Sequence, residues 1–225
     1  MKKIIAILAL ALATATAASA QIGLIGGFTS SKTTLDVNNL QAELKNVNLY
    51  HVGLAYKVEI GNYLAIQPQI AYQVKGASLE ENLSSGSASA TLASLQTKTG
   101  YAELSLGLQG GVDLLAFRPF VLVEPFVGYA VTGNETITSG GAVTSDSINA
   151  AVKDAKNKLE YGFGVGGGIE LLDHVQISVQ WFMNLGKLYN GDKLDTSSLT
   201  AVMNEVALKD VKNYQGIKVT VGLFF

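Results

Sequence analysis

From Leu49 to Ile60 every even position is apolar (Tyr50, Val52, Leu54, Tyr56, Val58, Ile60), while the odd positions read Leu49, His51, Gly53, Ala55, Lys57 and Glu59. Alternation sustained over so many residues marks a β-strand with two unlike faces. After Gly61-Asn62 it resumes, with Leu64, Ile66, Pro68, Ile70, Tyr72 and Val74 on one face and Ala65, Gln67, Gln69, Ala71, Gln73 and Lys75 on the other, so the two runs read as a hairpin. The same pattern predicts strands over about 21–28, 98–112, 119–132, 158–171, 175–188 and 212–225, eight in all. Their apolar faces, such as Leu104, Leu106 and Leu108, or Val175, Ile177, Val179 and Trp181, carry no charge.

The connections alternate in length: short at 61–62, 113–118 and 172–174, long at about 29–48, 76–97, 133–157 and 189–211. No linker interrupts them, and residues 21–225 are expected to form one domain. Residues 1–20 read as a signal peptide, with Lys2 and Lys3 as the positive end, Ile4 to Leu12 as the apolar run and Ala18-Ser19-Ala20 as the cleavage site. The mature chain is expected to begin at Gln21 and to work outside the cytoplasm. No later segment approaches 18 uninterrupted apolar residues, so no transmembrane helix is predicted.

Composition narrows the class. Charged residues make up 15% of the 225, against about 25% in an ordinary soluble domain, so a large water-exposed surface would lack its usual covering. There is no Cys, which excludes disulfides, thiolate metal sites and a Cys nucleophile. The formal charge of −2 offers no basic footprint for nucleic acid.

Alternation alone does not say which face is outside. A soluble lipocalin-like barrel shows the same period with the apolar set inward. Three features favour the inverse. The weaker set over 160–170 reads Glu160, Gly162, Gly164, Gly166, Gly168, Glu170, which suits a narrow lumen better than a water-facing surface. Short turns at one end with long loops at the other are the layout of outer-membrane barrels. Tyr50, Tyr72, Tyr129 and Tyr161 fall toward the long-loop ends of their strands, as an interfacial girdle does. The expected architecture is an all-β, eight-stranded antiparallel up-and-down transmembrane barrel with long extracellular loops carrying short helices. Pro68 and Pro125 fall inside paired strands, where a bulge or local distortion is expected.

The final run Ile217-Lys218-Val219-Thr220-Val221-Gly222-Leu223-Phe224-Phe225 alternates up to a terminal Phe and looks like the closing-strand signal of Gram-negative outer-membrane proteins. With the signal peptide, the eight strands and the abundant Gly, the chain resembles the PorT-like outer-membrane β-barrel family. The resemblance implies an outer-membrane, multi-pass protein with both termini periplasmic, lipid as its surroundings, and insertion by the barrel assembly machinery with Phe225 as the assembly signal. It fixes no substrate and transfers no functional residue.

Candidate lumen-lining residues are Lys57, Glu59, Lys75, Glu103, Glu124, Glu160, Glu170 and Lys218, with Gln67, Gln69, Gln73, Gln109, Gln176 and Gln180 between them. Eight strands leave a lumen just wide enough for side chains to fill, so a packed polar core is expected. The alternative is a narrow pore or small-ligand passage, for which five Glu against three Lys would favour cations. No cofactor or metal site is expected, and no enzyme: the only histidines are His51 and His174, with no nucleophile motif around any serine. The long loops could bind an extracellular protein or glycan. Leu199, Val202, Met203 and Val206 have helical spacing, and weaker helical patterns occur at 36–45 and 148–156. Loop 76–97, Ser-rich at 84–89, reads as flexible.

Overall fold

Eight long strands make up the computed structural model: β1 (Ala20–Lys32), β2 (Val47–Ile60), β3 (Leu64–Ser85), β4 (Ala88–Gly111), β5 (Phe117–Ser139), β6 (Leu159–Leu171), β7 (Val175–Asn184) and β8 (Gln215–Phe224). The structure describes residues 20–32, 34–37, 40–43, 47–85, 88–139, 142–143, 158–186 and 214–225. Each strand pairs antiparallel with its neighbour in sequence, and β1 pairs with β8 from Gly23↔Phe224 to Lys32↔Gln215, which closes the sheet. Closure leaves no edge, so the ladder groups that hydrocarbon could not solvate are satisfied within the wall.

The exposed and buried sets show which face is outside. Leu54, Ile70, Leu104, Val121, Val179 and Ile217 are exposed, while Lys57, Lys75, Glu103, Glu124, Glu160 and Glu170 are at most 3% exposed. A soluble lipocalin-like barrel would bury the first group and solvate the second, so that alternative is overturned. Tyr50, Tyr129 and Tyr161 are exposed on the outer face; Tyr50 lies 6.3 Å from Tyr72, whose hydroxyl meets Thr132 Oγ1 at 2.6 Å.

Several boundaries differ from the sequence reading. Residues 76–97 do not form a loop among the described residues: β3 and β4 stay paired up to Ser85↔Ala88, with one register shift at Glu81/Asn82. Backbone pairing needs no side-chain alternation, and Ser, Ala and Thr on both faces left no contrast to read. The first strand runs to Lys32 rather than ending near 28, and β7 stops at Asn184. Thr34–Val37 and Leu40–Glu43 pair as a small two-stranded sheet where the spacing at 36–45 suggested a helix; one i, i+4 apolar pair is too short a pattern to separate the two. The helical patterns at 148–156 and 199–206, and the expected signal peptide up to residue 19, lie outside the described residues.

Pro68 and Pro125 both distort the ladder as expected, though without a bulge, while Pro119, near the start of β5, stays paired with Ile169. The β2–β3 ladder runs from His51↔Gln73 to Ala55↔Gln69, skips the positions of Tyr56·Pro68 and Lys57·Gln67, and resumes at Val58↔Ile66 in the same register. The β4–β5 ladder likewise skips Leu106·Pro125 and Gly107·Glu124 between Ser105↔Phe126 and Leu108↔Val123. Proline lacks the N–H that such a rung requires. The β4–β5 register shift lies elsewhere, at Gly100/Tyr101.

Candidate functional site: a polar column inside the barrel

Inward positions recur every second residue along each strand, and this brings residues distant in sequence together on the barrel axis. At the short-turn end, Lys57 on β2 pairs with Glu170 on β6 and, at 2.9 Å, with the half-exposed Glu59. Arg118 on β5 reaches Asp113 at 3.4 Å and Gln109 at 3.2 Å. From Gln109 the hydrogen bonds continue to Gln67 (2.8 Å) and Gln176 (3.3 Å). Phe224 is fully buried in this layer with Ile25 and Ala55, and Lys57 Nζ lies 5.5 Å from its ring.

Further along, Lys218 on β8 donates to Glu124 on β5 at 2.6 Å, and Gln69 and Gln180 donate to the same carboxylate at 3.0 and 3.3 Å. His51 lies between Thr29 (3.2 Å) and Thr220 (3.0 Å), and Gln73 donates to Thr29 at 2.6 Å. Both ring nitrogens of His51 are therefore engaged in the wall. His174 occupies the exposed turn that its sequence position suggested.

Toward the long-loop end, Lys75 on β3 bridges Glu103 on β4 at 2.7 Å and Glu160 on β6 at 2.8 Å, and Asn184 donates to Glu160. Three rings surround the same ammonium: Phe126 at 4.1 Å, Phe182 at 5.2 Å and Tyr101 at 5.6 Å. A desolvated cation is attracted by ring faces as well as by carboxylates, which offsets part of the cost of burying it. Between Lys75, Glu103, Lys218 and the Phe126 and Phe182 rings no room is left for a water-sized sphere.

The inward glycines of β6 make this packing possible. A Cβ on Gly162 would come within 2.7 Å of the Phe126 ring, one on Gly168 within 2.7 Å of Phe120, and one on Gly164 within 2.5 Å of Gln180 Nε2. Bulky inward residues of β5 and β7 occupy the volume that β6 leaves.

Seven of the eight charged residues expected to line the lumen are buried in the column, and Glu59 is half-exposed at its short-turn mouth. The sequence pattern does not reveal Arg118, because it places 113–118 in a connection, whereas β5 begins at Phe117. The even-numbered phase of Glu124, carried back through Leu122 and Phe120, would have found it. Arg118 also corrects the charge balance: among the described residues, four buried Lys or Arg face four buried carboxylates. The rings of Tyr101, Phe126, Phe182 and Phe224 escape the sequence reading for another reason, since it describes the inward set as mostly small and polar residues. Phe225, by contrast, is exposed, with its backbone paired to Ile22 at 2.8 and 3.3 Å.

The model of the outer membrane protein beta-barrel domain family matches residues 14–190, most of the chain. The protein belongs to that family. As an outer-membrane barrel, it presents the exposed aliphatic face to lipid and encloses the charged column. No curated protein matches its sequence. Among solved structures it is similar to Ail, the attachment invasion locus protein of Yersinia pestis, at 14% identity and TM-score 0.42, covering 91% of this chain and 98% of that one. It is also similar to Neisserial surface protein A (9% identity, TM-score 0.41, 91% and 95% covered) and to OprG of Pseudomonas aeruginosa (11%, 0.39, 92% and 97%).

Proposed function

We propose that this outer-membrane barrel is a non-catalytic structural or surface-recognition protein whose lumen is closed by its own ion pairs. The observation that carries the reading is Lys75, held between Glu103 and Glu160 and ringed by Phe126, Phe182 and Tyr101. An ion crossing there would have to displace a cation that already has two carboxylate partners. In this reading the short turns and both termini face the periplasm, and residues 1–20 are removed as a signal peptide. The barrel assembly machinery inserts the chain through a closing strand that ends at Phe225. The long-loop end contacts an extracellular protein or glycan, and the chain falls in the PorT-like branch of the family.

Planar-bilayer conductance tests the closed lumen. The wild-type protein should show no stable channel, whereas Lys75→Ala combined with Lys218→Ala and Lys57→Ala, which removes the bridging cation from each level of the column, should conduct. Ohmic single-channel steps from the wild type would favour the narrow-pore reading instead.

A further inference from the structure

We propose that the linked turns 112–117 and 171–174 form an apolar foot, immersed in the lipid leaflet on the short-turn side of the barrel. A turn that faces water is ordinarily built from Gly, Asn and Asp. The β2–β3 turn obeys this with Gly61-Asn62, Gly61 adopting φ 65°, although Tyr63 beside them is exposed. The turn 112–117 has Asp113 as its one such residue, and 171–174 keeps Asp173 but places Leu172 at its tip. Val112, Leu114, Phe117 and Leu172 are exposed, and Leu115 exposes its whole side chain.

Leu115 and Leu172 moreover adopt φ 56° and 52°. In this left-handed region a Cβ is unfavourable, and Gly or Asn would sit more easily. A leucine that strains the backbone and packs on little of its own chain is explained by what lies outside the protein.

Three observations point to lipid as that surrounding. The patch continues the lipid-facing band, since Phe117 and Ile169 are exposed at the ends of β5 and β6 and these strands are paired there. The turns also satisfy much of their own backbone: Leu114 N donates to Phe117 O (3.0 Å), Ala116 N to Leu114 O (2.6 Å) and His174 N to Leu171 O (3.1 Å). Leu172 N donates to Ala116 O at 3.0 Å and so joins one turn to the other. Irregular backbone tolerates a water-poor setting only when its polar groups find partners within the protein. Finally, the Asp113 carboxylate lies 3.4 Å from the Arg118 guanidinium. Asp173 and His174 within the second turn are exposed, and the Asp113 side chain is more than half exposed, which limits immersion to the interface.

The chain has no cysteine, so Leu115→Cys, Leu172→Cys and the control Asn62→Cys each accept one environment-sensitive fluorophore. Each labelled full-length barrel is folded into phosphatidylcholine–phosphatidylglycerol vesicles. Labels at 115 and 172 should be quenched several-fold more by lipids spin-labelled near the headgroup than the label at 62, and less by aqueous iodide. Equal iodide quenching at all three positions would overturn the proposal. Shielding of 115 and 172 from both quenchers would also overturn it, since a protein partner or a second copy would then cover the turns. If a labelled variant fails to fold, Leu115→Asn combined with Leu172→Asn suits the backbone. Its folding yield should peak in lipids of shorter acyl chain than the wild type prefers, and an unchanged optimum would count against the foot.

Discussion

Lys218 on β8 and Glu124 on β5 meet at 2.6 Å with β6 and β7 between them around the wall, so their ion pair ties two separated strands through the interior. Removing one member of a buried pair leaves an uncompensated charge, which costs about 3–5 kcal/mol, while replacing both costs far less. Lys218→Met should therefore destabilise the barrel by about that amount in urea unfolding from vesicles, and Lys218→Met with Glu124→Gln should recover most of the loss. Additive losses in the double variant would contradict the pairing.

Val179 is an exposed outer-face residue in the middle of β7. Val179→Arg should lose about 2–4 kcal/mol if that site lies near the bilayer midplane, and Ile60→Arg, beside the short turn, about 0–1 kcal/mol. Unfolding titrations in vesicles measure both. Equal losses would show that the barrel sits differently in the membrane.

Gly166 has no space for a side chain, since a Cβ would approach Val179 O to 2.2 Å, and Gly164 faces Gln180. Gly164→Lys and Gly166→Lys should each abolish the heat-modifiable folded form. A Cβ on Gly133 meets nothing within 4 Å, so Gly133→Ala should fold normally. Normal folding of both lysine variants would contradict the packed interior.

Pro125 interrupts the ladder opposite Leu106. Pro125→Leu restores an N–H, and the rung it completes should contribute on the order of 1 kcal/mol. Amide hydrogen exchange should show the new protection at residue 125. Fast exchange there would mean that the gap comes from strand curvature and not from the missing donor.

The parts of this fold that were legible in sequence are those where the two faces differ. Lys57 alternates with Tyr56 and Val58, and Glu160 with Leu159 and Tyr161, so each could be placed on the inner face from its own strand. Along β5 the contrast fails: Phe120, Leu122 and Phe126 lie inside while Val121, Val123 and Val127 lie outside, and both sets are apolar. Periodicity can assign an interior only by a difference between its two phases. The upper part of the β3–β4 hairpin was hidden by the same lack of contrast. The partners of Lys75 could not be read either, because which strands face each other across the lumen depends on strand number and stagger.

The seam between β1 and β8 also sets a schedule. Gly23 pairs with Phe224 and Ile22 with Phe225, so the contact that completes the cylinder joins residues at opposite ends of the chain. Pairings so remote in sequence form late and slowly. While that closure waits, aliphatic residues such as Leu24 and Val219, which belong in lipid, have none to enter and can stick to other chains. The seam therefore makes the interval before closure the time at which this chain is most exposed to aggregation.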